Sequence, residues 1–119
     1  MIDGAWHSWT YAWLVPFLLL SMRDRELYGH ELLEGSDERG IGETRPGKVY
    51  RTLRLLEGKG LTFSERESTE YLLSRHTYGI TETGEAYLES LAHSLERYRK
   101  EIELFFLLYE EQPVHEVRR

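Results

Sequence analysis

The sequence predicts a mainly α fold with a small β-hairpin, and three observations carry that reading. Helical patterns occupy the chain on both sides of residues 61–80, where two strand-like stretches flank a polar tip. Just before them lies a well-delimited helix, opened by Thr44 and Pro46 and closed by Gly58, Lys59 and Gly60. After them, apolar residues recur with unbroken heptad spacing to Tyr109.

Taken in order, the chain begins with an aromatic leader carrying Trp6, Trp9, Tyr11 and Trp13. Pro16 has a fixed φ and no N–H, so it suits the first turn of a helix running to about Arg23, with Phe17, Leu18 and Leu20 facing the core. Anything helical before Pro16 is expected to be kinked or separate. A second helix is expected from Leu27 to about Glu38, burying Leu27, Leu32 and Leu33, and Gly35, Gly40 and Gly42 then break the pattern.

On the third helix, a turn of 100° per residue gathers Val49, Leu53 and Leu56 on one side. Arg51 and Arg54 fall nearly opposite, flanked by Lys48 and Thr52, with Tyr50 on the edge. One side packs and the other presents cations. The strands Leu61 to Arg66 and Tyr71 to Ile80 form the hairpin, with Glu67 to Glu70 as its tip and Arg66, Arg75 and His76 along it.

The terminal helix starts near Thr81 and aligns Leu88, Leu91, Leu95, Tyr98, Ile102, Phe105 and Tyr109. A helix of about 28 residues is near 40 Å long, more than so small a domain can cover, so part of this seam needs a second chain. The expected organisation is a leader over 1–15, a winged helix-turn-helix domain over 16–81, a dimerisation helix over 82–111 and a tail over 112–119.

Composition narrows the function. At 119 residues there is room for one domain, and the absence of cysteine removes disulfides, thiolate metal sites and cysteine nucleophiles. The histidines (His7, His30, His76, His93, His115) lack metal-ligand spacing, and there is no Gly-rich phosphate loop, so neither an enzyme nor a cofactor is expected. The longest apolar stretch, Ala12 to Met22, is about half a membrane span and no basic residue precedes it, which predicts a cytoplasmic protein away from the membrane.

Net charge is −6, unpromising for a polyanion partner until its distribution is read. From Arg45 to Arg66 there are six basic residues (Arg45, Lys48, Arg51, Arg54, Lys59, Arg66) against Glu57 and Glu65. From Glu82 to Glu111 eight acidic residues outnumber three basic ones. Acidic charge is thus segregated from the segment that holds the third helix.

Three blocks resemble the PadR family of regulators. Leu27-Tyr28-Gly29-His30-Glu31-Leu32 is similar to that family's H-G-Y-E-[IL], with Tyr28 and His30 exchanged. The run from Pro46 to Leu61 resembles P-G-x-[VI]-Y-x-x-L-x-x-L-E-x-x-G-L, and Arg75 to Gly84 resembles R-x-x-Y-x-[LI]-T-x-x-G. The likeness covers about residues 14 to 110. It implies a repressor-like homodimer on double-stranded DNA, with the third helix in the major groove, the wing on flanking backbone and the terminal helices pairing. The acidic tip and the Trp-rich leader depart from the family pattern.

On that reading Lys48, Arg51, Thr52 and Arg54 offer donors to bases and phosphates, with Tyr50, Arg66 and Arg75 as further contacts. Trp6, Trp9 and Trp13 are candidates to line a pocket for a planar aromatic effector, against a partner's Tyr98, Ile102 and Phe105; such aromatics more often form core. A rival reading is a winged-helix protein-interaction module without DNA binding, which the acidic net charge favours and the paired arginines oppose.

Overall fold

The computed structural model describes residues 13–38, 46–66, 75–112 and 114. Residues 13–21 form α1, followed by β1 (Leu27–Tyr28), α2 (Gly29–Glu38), α3 (Pro46–Gly58), β2 (Thr62–Glu65), β3 (Thr77–Ile80) and α4 (Glu82–Glu111). The chain groups into two compact units, and the boundary falls between Leu88 and Glu89, inside α4.

In α1 the buried residues are Leu14, Pro16, Leu18 and Leu19, joined by Met22 just beyond it. Leu20, expected in the core, is exposed, because three adjacent leucines offer no polar contrast by which the inward pair could be told from the outward one. Helix precedes Pro16 without a break at residues 13–15. The bond this proline cannot donate would run to residue 12, so the ladder within the described turns loses nothing.

The second segment departs from expectation at its start. Leu27 and Tyr28 are not helical but form a strand that pairs antiparallel with β3, Leu27 opposite Tyr78 and Tyr28 opposite Thr77. The hairpin therefore becomes a three-stranded sheet in the order β1-β3-β2, with Thr62 opposite Ile80 and Glu65 opposite Thr77. Gly29 N–H continues the ladder by donating to His76 O at 3.1 Å, and α2 departs from that point. Glu31, in its first turn, accepts from Tyr28 N–H at 2.8 Å, which satisfies a donor at the helix start and sets an anion at its positive end.

The end of α3 is a Schellman closure. Leu61 N–H reaches back to Leu56 O and Gly60 N–H to Glu57 O, both at 3.0 Å, with Gly60 at φ 76°. Only glycine takes that left-handed backbone without strain. The next carbonyls are used at once by Thr81, whose hydroxyl donates to Gly60 O at 2.7 Å and whose N–H donates to Leu61 O at 3.0 Å. The same hydroxyl accepts from Gly84 N–H at 3.0 Å and so caps α4. The core of this unit comprises Leu14, Leu18, Leu19, Met22, Leu32, Val49, Leu53, Leu56, Leu61, Tyr78 and Leu88.

Candidate nucleic-acid interface

Helix α3 divides as its sequence period requires. Val49, Leu53 and Leu56 are buried, while Arg51 and Arg54 are exposed and Lys48 and Tyr50 are half-buried. The arginines are thus held on a helix whose opposite side is anchored in the core. Its first turn contains no acidic residue, whereas α2 has Glu31 there and α4 has Glu82 and Glu85. The positive end of the α3 dipole therefore has the same sign as Lys48 and Arg51, with no acidic side chain in that first turn to offset it. Arg51 leans back toward that end: a Cβ placed on Gly47 would lie 4.0 Å from its guanidinium Nη2.

Thr52 does not join this face. It is 2% exposed and its hydroxyl donates to Lys48 O at 2.8 Å within the helix, so it has no access to a ligand. Its position lies roughly 60° from Val49 and 40° from Leu56, on the packed side, and the internal hydrogen bond removes the penalty of burying the hydroxyl. What occupies the exposed face instead is Leu55, a residue that sequence reasoning passed over because it belongs to no apolar stripe.

Behind the face, α3 is tied to the sheet. Ser64 on β2 donates to both carboxylate oxygens of Glu57, at 2.9 and 3.0 Å. Tyr78 on β3 is buried beside this pair, and its phenol is pushed up to about 12, first by burial, then by the neighbouring Tyr50 and Glu57, with Arg54 opposing. Burial also raises Tyr50. The Ser64–Glu57 bonds thus link the flank of the helix to the wing strands.

Arg66 and Arg75 are both exposed and both lie at the same end of the hairpin, just past the Glu65–Thr77 pair. His76 is half-buried, with Nε2 buried and its ring centroid 6.2 Å from that of Tyr78, so it does not extend that pair of cations. Thr44 and the acidic tip Glu67 to Glu70 lie outside the described residues.

The heptad residues separate into two groups. Leu88 is 8% exposed and belongs to the core of the first unit, which removes it from any seam open to a second chain. It sits in the opening turns of α4, before the boundary at Glu89. Leu91 and Leu95 are half-buried, and Tyr98, Ile102, Phe105 and Tyr109 are exposed. Leu104, Phe106, Leu107 and Leu108 are exposed as well, so the six consecutive positions 104–109 form an apolar girdle around the helix. Within it Phe105 stacks on Tyr109 at 5.9 Å and meets Phe106 edge-on at 5.2 Å. Upstream, Arg99 bridges Glu96 at 2.7 Å and Glu103 at 3.8 Å along the helix.

Of the tryptophans, Trp6 and Trp9 lie outside the described residues. Trp13 is exposed, its ring 6.3 Å from that of Phe17. A surface cavity of about 380 Å³ near the start of α2 is lined by Ser21, Asp24, Arg25, Leu27, Glu31, Glu34 and Gly35, a polar and aromatic-free set. Among the described residues, no helix is long and apolar enough to cross a membrane.

A core-anchored cationic helix set against a three-stranded wing defines the winged helix-turn-helix class of DNA-binding regulators. Residues 18–90 match the family model described as the transcriptional regulator PadR-like family. The fold is shared with a PadR family transcription regulator from Clostridium difficile R20291, at 23% identity, TM-score 0.64, over 77% of this chain and 97% of that one. A PadR family regulator from Eggerthella lenta DSM 2243 aligns at 21% identity, TM-score 0.71, over 88% and 91%. A conserved protein of unknown function, described as a potential transcriptional factor, reaches 31% identity and TM-score 0.70 over 82% and 88%. No curated protein matches the sequence. The chain belongs to the PadR-like family of transcriptional regulators.

Proposed function

We propose that the protein is a sequence-specific repressor that binds a pseudo-palindromic operator as a homodimer, with α3 in the major groove. The observation that carries this reading is the division of α3, in which Arg51 and Arg54 are exposed directly opposite the buried Val49, Leu53 and Leu56. Arginine suits bidentate contact with guanine O6 and N7, and Lys48 and the helix N-terminus suit phosphate. Arg66 and Arg75 place two more cations at one end of the wing, where flanking backbone would pass. The family's role in transcription and the segregation of acidic charge into α4 both support this.

Pairing of two chains has its own support in the exposed apolar girdle of residues 104–109, continuous with Tyr98 and Ile102 along one side. Contiguous exposed apolar surface of this kind marks an interface. A two-fold pair would set its two reading helices about one DNA turn apart, roughly 34 Å. The test is selection of duplexes from a random pool, followed by affinity measured across a salt series. Phosphate contacts predict a steep fall of affinity with salt, and R51A/R54A should abolish binding while the helical circular dichroism is kept. Retained affinity in that variant would overturn the assignment.

A further inference from the structure

We propose that Leu55 is a specificity-determining residue that reads a thymine methyl group beside the base contacted by Arg51. The inference rests on the major-groove reading of α3 and deepens it.

Relative to Arg51, a period of 100° places Arg54 at roughly −60°, Leu55 at roughly +40° and Lys48 at roughly +60°. Leu55 therefore lies inside the arc bounded by the cationic residues, not beside it. It is 55% exposed, while the other leucines of the helix, Leu53 and Leu56, are buried. Lone exposed leucines are ordinary on protein surfaces, but this one interrupts a face whose other members are suited to a polyanion. An aliphatic side chain there gains nothing from phosphate and loses hydration when the face is covered, unless it meets an apolar group. The major groove offers one such group, the C5-methyl of thymine.

Side-chain direction then fixes the neighbourhood. Long side chains on a helix lean toward its N-terminus, so Leu55 covers the surface over the preceding turn, which is that of Arg51. The lean is visible in Arg51 itself, whose guanidinium approaches the Gly47 position. The two Cα atoms are about 6 Å apart along the axis. Leu55 and Arg51 therefore address neighbouring positions of the same half-site. Neither the leucine nor its spacing belongs to the apolar pattern that builds the core, so packing does not account for it.

The experiment uses the full-length chain and the duplex it selects from a random pool. Each thymine of the half-site is replaced in turn by deoxyuridine, which removes only the methyl, and affinity is read by fluorescence anisotropy for wild type and L55A. At one thymine per half-site, deoxyuridine should weaken wild-type binding about fourfold, the effect of one methyl group's burial, and should leave L55A unaffected. L55A should also relax the preference for thymine at that position when the selection is repeated. Deoxyuridine effects that are equal in the two proteins, or absent at every position, overturn the role of Leu55 while leaving the major-groove reading standing. A selection that enriches no sequence overturns both. Because Leu55 is exposed, L55A should keep the wild-type unfolding midpoint, which separates lost reading from lost fold.

Discussion

Gly84→Ala should destabilise the protein even though it puts a better helix former into a helix. Gly84 is buried in the first turn of α4, and a Cβ there would fall inside the contact shell of Leu61 O, 3.0 Å from Leu61 C and 2.7 Å from Ile80 Cγ1. Ile80 could turn aside; Leu61 O is backbone and already accepts from Thr81 N–H at 3.0 Å. Relief therefore requires α4 to move off the end of α3. Overpacking of this kind costs about 1–3 kcal/mol, and alanine returns at most about 1 kcal/mol of helix propensity. The net loss expected is about 1–2 kcal/mol, a fall of several degrees in Tm for a domain of this size. Gly58→Ala supplies the internal control, because nothing lies within 4 Å of the Cβ it would introduce at the last residue of α3. It should be neutral or raise Tm. Both are read by thermal unfolding followed at 222 nm at one fixed protein concentration, since association shifts Tm. If Gly84→Ala matches or exceeds wild type, or moves with Gly58→Ala, the close approach of α4 to Leu61 is not what selects the glycine.

Three further outcomes are expected. Thr81→Ala removes both the α4 cap and the bond to Gly60 O, and should cost about 1–2 kcal/mol in urea unfolding, near the upper end for a helix cap. In an alkaline absorbance titration, one phenol should ionise near pH 12, and Tyr78→Phe should delete that step. Because the folded pKa lies above the unfolded one, the contribution of Tyr78 is fully present below about pH 10 and is lost as pH rises toward 12. Phe105→Glu places a charge within the apolar girdle, beside its stacked partner Tyr109 and Phe106; on the proposed pairing, sedimentation should show dimer for wild type and monomer for the variant at equal concentration, with the first unit still cooperatively folded.

Much of this architecture was legible because its signals are periodic or punctuated. Helix α3 announces itself by Pro46 at one end and Gly58 to Gly60 at the other, and its buried stripe follows from spacing alone. Strand β1 was not legible. Two residues carry no period, and Leu27–Tyr28 is a strand only because β3, some fifty positions later, supplies its partners. Thr52 and Leu55 fail in opposite directions for one reason: side-chain polarity was taken as a guide to exposure at the border of the stripe. A threonine can bury its hydroxyl against the carbonyl four residues back, and a leucine can stand in solvent where the geometry gives it nothing to pack on. Leu88 shares the heptad register of Ile102 and Tyr109, and spacing cannot tell which part of a continuous stripe is already covered by its own domain.

The joint formed by Gly60, Leu61, Thr81 and Gly84 works as a set square. Two successive carbonyls at the close of α3 receive the hydroxyl and the amide of one threonine, so the opening turn of α4, within the first unit, is fastened to the end of the helix that carries Arg51 and Arg54. A protein loosened at Thr81 would keep the face that carries Arg51 and Arg54, because that face is anchored by Val49, Leu53 and Leu56 and not by the corner.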